Sequence, residues 1–500
     1  MLPGSPGRFN QNGQPRLTHV NSPQQLVVGF DLDMTLIDSR PGFSATLEQL
    51  AIETGVELDV EAMSNRLGPP LSQILEPYYA AEQIEALVGR FREHYPSHAV
   101  APTRELPGAH EALEAVRRHR GEAVAVTGKF TPNAALHVEA LAFEIDHLVG
   151  DVWGVGKAAA LLAHGASIYV GDHVHDVEGA LAAGAVSVSV LTGGCSAADL
   201  TAAGTHVVLE SLTEFPAWLD EHLLSTRLES LAADLRARGS VMVAFSGGAD
   251  SAFLLAAAVR ALGSPDVVAA TAYSDSLPHS ERSPALDFAR ELGVRVLTPA
   301  THEMDRDGYR ANAGDRCYFC KAELLDVLGP LAQEHGVAHV ATGTNADDAV
   351  AGFRPGIRAA DERGAITPLR DAGLTKQQIR AASQQWGLPT WDKPAAACLS
   401  SRVAFGIEVS PFRLARIERA EVAVRSALDD DGFDVRNLRV RDLGGKASIE
   451  IDLDLVEAAR QSPSVVAAAV AAGFDQADID PLGFRSGAMN ELLADPEPYR

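Results

Sequence analysis

Two aspartates stand two residues apart, directly after an apolar run near the start of the sequence. The run Leu26-Val-Val-Gly-Phe30 predicts a buried strand, and Asp31 and Asp33 follow it. Carboxylates at the carboxyl end of a strand can project into one site. One could attack phosphorus while the other serves as a general acid to the leaving oxygen. The pair therefore predicts phosphoryl-transfer chemistry.

Polar residues further along the chain could complete such a site. Thr127 ends an apolar run, and its hydroxyl could hold a phosphoryl oxygen. Lys157 could neutralise the anion, and Lys129 is a rival for that role. Asp172 and Asp176 follow another apolar run, and their carboxylates could hold Mg²⁺. Because an open α/β sheet places its ligands where strand ends converge, we expect these residues at one crevice.

A second motif, Ser246-Gly-Gly-Ala-Asp250-Ser251, follows an apolar run and opens a helix-like segment. Its glycines let the backbone approach an anion, and a helix N-terminus adds free N–H groups and a favourable dipole. No Lys-Ser or Lys-Thr pair follows the glycines, so the motif is not a Walker A loop. Asp250 is instead placed to hold Mg²⁺ on a pyrophosphate. The predicted ATP-binding residues are Ser246, Gly247, Gly248, Asp250 and Ser251.

Three cysteines lie in the same half of the chain as this loop. Cys317 and Cys320 form a C-x-x-C pair, whereas Cys398 is distant in sequence and Cys195 lies in the other half. Four cysteines in 500 residues do not make a disulfide framework. The three fit an iron–sulfur cluster with one non-cysteine position, part of a zinc site, or simple thiol chemistry. A closed zinc site is disfavoured because no obvious fourth ligand accompanies Cys398.

The elements that must position these residues form two similar series of strands and helices. The predicted strands are 26–30, 123–126, 167–170, 186–191 and 206–209, then 241–245, 267–273, 294–299 and 337–342. This alternation predicts two tandem parallel-sheet α/β domains. Residues 41–106 show helical periodicity only and are predicted to form a cap. After residue 406, strand-like 438–441 and 447–453 and helix-like 455–473 predict a small α+β domain.

Residues 26–222 resemble the haloacid dehalogenase superfamily of phosphatases, in the branch with a helical cap. The resemblance rests on Asp31-Leu-Asp33-Met-Thr35 and Gly171-Asp172-His-Val-His-Asp176, each after a strand. It implies that Asp31 is a nucleophile and Asp33 the acid/base; Met34 stands where glycine is usual. The implied phosphate binders are Thr127 and Lys157, and the implied metal ligands are Asp31, Asp33, Asp172 and Asp176. The alternative is an inactive scaffold whose carboxylates cap strands and helices.

The loop at 246–251 resembles the PP-loop of enzymes that cleave ATP between the α- and β-phosphates, with Asp250 as the metal ligand. Residues 225–492 resemble the LarE family, ATP-dependent sulfur transferases that thiolate pyridinium-3,5-biscarboxylic acid mononucleotide, the precursor of the nickel-pincer nucleotide cofactor. The motifs are Asp315-Arg-Cys317-Tyr-Phe-Cys320-Lys321, Gly343-Thr-Asn345-Ala-Asp347-Asp348, Arg354-Pro-Gly356, Pro368-Leu369, Lys393-Pro-Ala-Ala-Ala-Cys398-Leu-Ser-Ser401-Arg402 and Gly483-Phe-Arg485-Ser. By this resemblance, the substrate phosphate is gripped by Ser401, Arg402, Arg439 and Arg441.

The implied reaction has a clear chemical logic. A carboxylate is a poor acyl donor, but its transfer to AMP supplies a good leaving group that a sulfur nucleophile can displace. The family obtains sulfur either by sacrificing one cysteine, which becomes dehydroalanine, or from a cluster with an open iron held by three cysteines. Cys317, Cys320 and Cys398 fit the cluster version, with Cys398 in the catalytic region. The expected cofactors are therefore ATP, Mg²⁺ and a [4Fe–4S] cluster.

The net charge of −25 favours a small-molecule nucleotide as substrate. An acidic surface repels nucleic acid and anionic membranes unless a local basic groove intervenes. No apolar run approaches the roughly 18 residues that span a bilayer. We therefore expect a cytoplasmic enzyme without membrane or nucleic-acid partners, and its small C-terminal domain looks suited to homo-oligomer formation. The alternatives are a tRNA thiolase, an amidating ligase and a non-enzymatic scaffold.

The predicted domain organisation has four parts. Residues 1–24 lack the features of a signal peptide, are rich in Pro, Gly, Gln and Asn, and are expected to be a disordered tail. The haloacid dehalogenase-like domain is predicted at 25–222, with the cap at about 41–106. The PP-loop domain is predicted at 223–405, and a substrate-binding or oligomerisation domain at 406–500.

Overall fold

A computed structural model describes residues 25–350, 354–394 and 398–485. The chain divides into two compact units, the first ending at Leu223 and the second beginning at Leu224. Each unit has its own hydrophobic core. The predicted tail and the last residues of the predicted C-terminal domain lie outside the described residues.

The first unit is built on a six-stranded parallel sheet with the order β5-β4-β1-β6-β7-β8. These strands are β1 (Val27–Phe30), β4 (Glu122–Val126), β5 (His147–Val149), β6 (Ile168–Gly171), β7 (Val186–Val190) and β8 (Val207–Leu209), and β2 (Ile37–Asp38) and β3 (Arg104–Glu105) form a separate antiparallel pair. In β1, Phe30 lies opposite Ala125 and Val170. All four residues of β1 are buried, which explains its uninterrupted apolar run. The prediction missed β5, which has three residues and begins with an exposed histidine.

Four helices between β2 and β3 form the cap, which has its own apolar core. The helices of the first unit are α1 (Arg40–Thr54), α2 (Val60–Ser64), α3 (Leu71–Leu75) and α4 (Ala81–His98) in the cap, then α5 (Ala109–Arg118), α6 (Thr131–Ala140), α7 (Lys157–His164), α8 (Val174–Ala183) and α9 (Ala197–Ala202). Helix α10 (Phe215–Arg238) follows. The cap prediction of helices alone was incomplete, because β2 and β3 pair at its two ends.

The second unit contains a four-stranded parallel sheet with the order β11-β10-β9-β12. Its strands are β9 (Val241–Ala244), β10 (Val267–Ala270), β11 (Arg295–Leu297) and β12 (His339–Ala341). Its helices are α11 (Ala249–Leu262), α12 (His279–Glu291), α13 (Asp307–Arg310), α14 (Arg316–Glu334), α15 (Ala346–Val350), α16 (Pro355–Glu362), α17 (Pro368–Asp371) and α18 (Lys376–Gln385). The two sheets together confirm the prediction of tandem parallel-sheet α/β architecture.

The second unit also contains a three-stranded sheet, formed by β13 (Leu438–Asp442), β14 (Lys446–Ile451) and β15 (Gln476–Ile479). The helices of this part of the chain are α19 (Pro411–Asp430), α20 (Val456–Ala459) and α21 (Pro463–Ala471). The prediction of one helix over 455–473 was wrong. Two helices form instead, because Pro463 lacks an N–H group and disfavours helical backbone at Ser462. Within the described part of the chain, no helix has both the length and the apolar character that crossing a membrane requires.

Candidate active sites of the two units

Three buried carboxylates converge where the central strands of the first sheet end. Asp31 follows β1, and its backbone N–H donates to the carbonyl of Val170 over 2.8 Å. Asp172 follows β6, and Asp176 lies on the first turn of α8. Carboxylate oxygens of Asp31, Asp172 and Asp176 lie within 4.8 Å of one another. Such a set of oxygen donors fits a hard divalent cation such as Mg²⁺.

Lys157, the first residue of α7, lies directly against this triad. Its Nζ is 3.0 Å from Asp31 Oδ1, 2.5 Å from Asp176 Oδ1 and 2.9 Å from the Tyr169 hydroxyl. The Tyr169 hydroxyl donates in turn to the carbonyl of Val126 over 2.6 Å. Lys157 and Tyr169 are both buried, so the ammonium group is held at Asp31. Sequence reasoning missed Tyr169, which looks like an ordinary strand residue.

Lys129, the rival considered for Lys157, is bound to the other aspartate. Its Nζ is 2.8 Å from Asp33 Oδ1 and 2.8 Å from the hydroxyl of Tyr95 on cap helix α4. The Tyr95 hydroxyl lies 2.9 Å from His137 Nε2, and the Ser39 hydroxyl also donates to Asp33. The structure therefore does not place the Asp33 carboxylate among the three clustered carboxylates, although the sequence predicted it as a metal ligand.

The charges of these residues set two different carboxylate environments. Burial raises the pKa of Asp31 to about 7, with Lys157 opposing the shift and Asp176 adding to it. Burial, reinforced by Asp176 and Asp31, also raises the pKa of Asp172. Burial acts to raise the pKa of Asp33 as well, but Lys129 and Ser39 outweigh it, and the pKa falls below its usual value. A divalent cation at the triad would restore the ionised form of its carboxylates.

A cavity of about 270 Å³ connects these groups to the cap. Asp31, Thr127, Lys157 and Asp172 line it together with cap residues. Thr127 is buried and follows β4, as predicted, and its hydroxyl accepts from the N–H of Lys129 over 3.3 Å. Met34 has φ +58°, in the left-handed region that favours glycine. This backbone conformation explains why glycine is usual at this position.

In the second unit, the predicted anion loop joins β9 to α11. Gly248 caps α11, and Gly247 has φ +72°. A Cβ at Gly247 would also lie 2.9 Å from the Cβ of Ala285, so glycine is required there for two reasons. The Ser251 hydroxyl donates to the carbonyl of Gly248 over 3.0 Å, and Ser246 Oγ lies 3.1 Å from Ser251 Oγ. The sequence thus forms a compact loop whose helix end can receive phosphate.

Asp250 has the properties of a metal ligand in this loop. Its Oδ2 accepts from Asn345 Nδ2 over 3.3 Å, whereas its buried Oδ1 has no hydrogen-bond partner among the described residues. Burial raises the pKa of Asp250, while the positive charge of Lys376 opposes that shift. Because an unpaired buried carboxylate oxygen is costly, this atom fits a bound cation.

Two of the three predicted cysteines line the same cavity as the loop. Cys317 lies on the first turn of α14 and Cys320 at the start of the second, and Cys398 precedes a 3₁₀ turn at Leu399–Arg402. Cys320 and Cys398 line a cavity of about 460 Å³ together with Ser246 and Asp250. Cys317 is more exposed and is not among the residues that line this cavity.

Cys320 lies in a buried setting beside other ionisable groups. Burial, reinforced by Cys398, Glu303 and Cys317, raises the pKa of the Cys320 thiol. Thiolates in such a place need a compensating cation, and soft sulfur donors suit iron–sulfur clusters. Glu303 was missed by sequence reasoning, yet it is buried, lines the cavity and accepts from the Ser276 hydroxyl over 2.9 Å.

The four predicted phosphate-gripping residues lie close to Cys398 in the fold. Arg402 donates to the Cys398 carbonyl over 2.8 Å and to Glu421 over 3.0 Å, and Ser401 donates to the same carbonyl over 2.7 Å. Arg441 donates to the backbone carbonyl of Ser401, and it also donates to Glu450 over 2.7 Å. Burial, followed by the charge of Arg402, lowers the pKa of Arg439 to about 10. The guanidinium of Arg439, whose charge burial and Arg402 disfavour, fits an anion such as phosphate.

Comparisons with known proteins match two parts of the chain to two families. The sequence profile of haloacid dehalogenase-like hydrolases matches residues 28–181. An uncharacterized protein of Synechocystis is 38% identical over 274 residues, 54% of this chain and 99% of that protein. Pyridinium-3,5-bisthiocarboxylic acid mononucleotide synthase of Lactiplantibacillus plantarum is 32% identical over 54% of this chain and 96% of its own length. A phosphoglycolate phosphatase of Chromobacterium violaceum is 28% identical over 37% of this chain and 93% of its length.

The chain is therefore an enzyme that joins a haloacid dehalogenase-like phosphatase domain to an ATP-using domain of the PP-loop type. Through its C-terminal part, it belongs to the family of pyridinium-3,5-bisthiocarboxylic acid mononucleotide synthase, the LarE family. Both resemblances predicted from the sequence, and their fusion in one chain, are confirmed.

Proposed function

We propose that the second unit adenylates a carboxylate of pyridinium-3,5-biscarboxylic acid mononucleotide and replaces its activated oxygen with sulfur. The observation that supports this proposal is the single cavity lined by the anion loop, Cys320 and Cys398. In this proposal, the site for the ATP phosphates and the site for the sulfur donor lie in the same cavity. The relative from Lactiplantibacillus plantarum carries the name of a synthase for the corresponding bisthiocarboxylic acid.

The residues of the loop would act on the nucleotide. Backbone N–H groups at the start of α11 would bind the departing pyrophosphate, and Asp250 would hold Mg²⁺ against it. A substrate carboxylate oxygen attacks the α-phosphorus of ATP, and pyrophosphate leaves. The substrate phosphate would be held by Ser401, Arg402, Arg439 and Arg441. The end of the substrate that carries the carboxylates would then point to the cavity. Sulfur then attacks the acyl carbon, and AMP leaves with the carboxylate oxygen.

Cys317, Cys320 and Cys398 would hold a [4Fe–4S] cluster in this proposal. The cluster, when bound, would supply an iron without a protein ligand, to which sulfide can attach. Cys398 is well placed for this role because its carbonyl accepts from both Ser401 and Arg402. The same backbone segment would thus position the sulfur donor and the substrate phosphate.

In the first unit, we propose a magnesium-dependent phosphomonoester hydrolase. Asp31 would attack the phosphorus atom and form an aspartyl-phosphate, while Thr127 and Lys157 hold the phosphoryl oxygens. Asp33 would give a proton to the leaving oxygen and later take one from the attacking water. Asp31, Asp172 and Asp176 would hold the metal, whose charge offsets that of the phosphate.

Replacing Asp250 with asparagine is expected to reduce AMP and pyrophosphate formation by about 100-fold or more. The side chain keeps its size and can still pair with Asn345, but it loses the charge that holds Mg²⁺. Pyrophosphate release and ATP–pyrophosphate exchange measure the loss directly. Asp266→Asn, at an exposed position of the same unit, is the matched control and should behave as the unaltered protein. ADP and phosphate as products would show that the PP-loop mechanism is wrong.

A further inference from the structure

The cavity of the first unit has one face that the proposed phosphatase chemistry does not use. Away from the carboxylates and lysines, its lining is largely apolar and aromatic, and it includes Phe43, Leu71 and Phe91 of the cap and Phe130 and Trp153 below it. Such a face must contact the alcohol portion of a phosphomonoester rather than its phosphate. It therefore carries information about the substrate.

Three rings form an aromatic platform on this face, Trp153, His173 and His175. The ring centroids of Trp153 and His175 are 4.0 Å apart with planes inclined by 56°, and those of His173 and His175 are 4.9 Å apart with planes inclined by 27°. Glu178 Oε2 lies 2.8 Å from His175 Nδ1 and fixes that ring. The platform is preformed and lies on the elements that carry the phosphatase residues.

Trp153 also lies at the phosphate end of the cavity. A Cβ placed on Gly128, next to Thr127, would be 3.6 Å from Trp153 Cδ1. A ring resting on Trp153 would thus be attached within a few atoms of a phosphate held by Thr127. The cavity volume of about 270 Å³ is slightly below the usual size of a ligand site, about 300 Å³ or more, so the alcohol portion of the substrate must be small.

The charged residues of the lining disfavour a small carboxylated substrate. Lys157 is paired with Asp31 and Asp176, and Lys129 with Asp33. Among the described lining residues, the remaining cation is Arg92, which lies 3.2 Å from Asp151 and 4.0 Å above the ring of Phe130. A substrate carboxylate would have to compete with Asp151 for this guanidinium.

We propose that the first unit selects phosphomonoesters whose alcohol carries a single flat aromatic ring, which packs on Trp153. This inference rests on the proposed phosphatase activity and adds the class of its substrate. Recognition is by ring planarity, since the platform offers aromatic faces rather than a dense set of hydrogen-bond donors. The platform is therefore expected to favour one type of ring over another in the substrate. It is not expected to affect the chemistry at the phosphorus atom.

The test uses benzyl phosphate and cyclohexylmethyl phosphate, which share a primary alcohol leaving group and differ in the planarity of the ring. The full-length protein with Mg²⁺ is expected to show a kcat/KM about ten-fold higher for benzyl phosphate, in line with typical stacking contributions. Trp153→Leu should bring the two substrates to within about two-fold by lowering only the benzyl value, and Trp153→Phe should keep most of the preference. Trp391→Leu, an exposed tryptophan of the second unit, is the matched control.

Several results would overturn the inference while leaving the phosphatase proposal intact. These are equal turnover of the two substrates by the unaltered protein, a preference that survives Trp153→Leu, and a higher kcat/KM for 2-phosphoglycolate than for benzyl phosphate. The comparison within the unaltered protein decides the matter even if the leucine variant fails to fold. Absence of hydrolysis for every phosphomonoester would instead refute the phosphatase proposal, and the inference with it.

Discussion

Changing any one of Cys317, Cys320 and Cys398 to alanine is expected to abolish both the iron content and repeated sulfur transfer. The unaltered protein, purified without oxygen, should be brown and contain about four irons per chain. It should turn over repeatedly when sulfide is supplied, because the protein itself is not consumed. Loss of one thiolate from a three-thiolate site removes a covalent attachment of the cluster, so each variant should be colourless.

Cys195 supplies the matched control for this prediction. It lies in the first unit, outside the proposed cluster site, and Cys195→Ala should keep full iron content and activity. Iron and sulfide analysis, the visible spectrum and the number of products per chain are the measurements. An iron-free protein that works once and loses about 34 Da from the Cys398 peptide, the mass of H₂S, would establish the sacrificial route instead.

Asp31→Asn is expected to reduce phosphomonoester hydrolysis by about 10⁴-fold or more, the scale seen when a nucleophile is removed. The amide cannot form the acyl-phosphate bond, and it also removes one carboxylate from the triad with Asp172 and Asp176. Hydrolysis of benzyl phosphate with Mg²⁺ measures the loss. ATP cleavage by the second unit, measured as pyrophosphate release, should be unchanged in the same preparation.

Asp220→Asn is the control for this second prediction. Asp220 is half exposed and paired with Arg118 at the surface, so its charge should have little effect on hydrolysis. Comparable activity of Asp31→Asn and the unaltered protein would exclude Asp31 as nucleophile. An unaltered protein with no activity on a broad panel of phosphoesters would favour the inactive-scaffold alternative.

The sequence predicted the convergence of Asp31, Thr127 and Asp172 because parallel strands end at the same edge of a sheet. It could not predict the partners that arrive from other layers. Tyr95 reaches Lys129 from a cap helix 34 residues away in sequence. Glu303 enters the second cavity from a short 3₁₀ turn that has no distinctive motif.

The same limit applies to the arginines predicted to grip phosphate. Arg402 and Arg441 each have a glutamate partner, Glu421 and Glu450, at separations of 19 and 9 residues. These pairs depend on how α19 packs beside the 3₁₀ turn at Leu399–Arg402 and on the register of β13 and β14. Sequence motifs identify the cations, whereas tertiary packing determines which acidic groups balance them. The short strands β5 and β15 were missed for a related reason, since they pair at sheet edges with few apolar residues.

The contact between Lys129 and Tyr95 links the cap to the carboxylate proposed as the acid/base. Lys129 is held between Asp33 below it and the Tyr95 hydroxyl above it, at 2.8 Å from each. Any movement that lifts the last turns of α4 from the sheet must separate Tyr95 from Lys129, and so must change the electrostatic environment of Asp33. Shutting the cavity and fixing Lys129 against Asp33 are thus a single event, an interlock through which the position of the cap sets the charge environment of the Asp33 carboxyl.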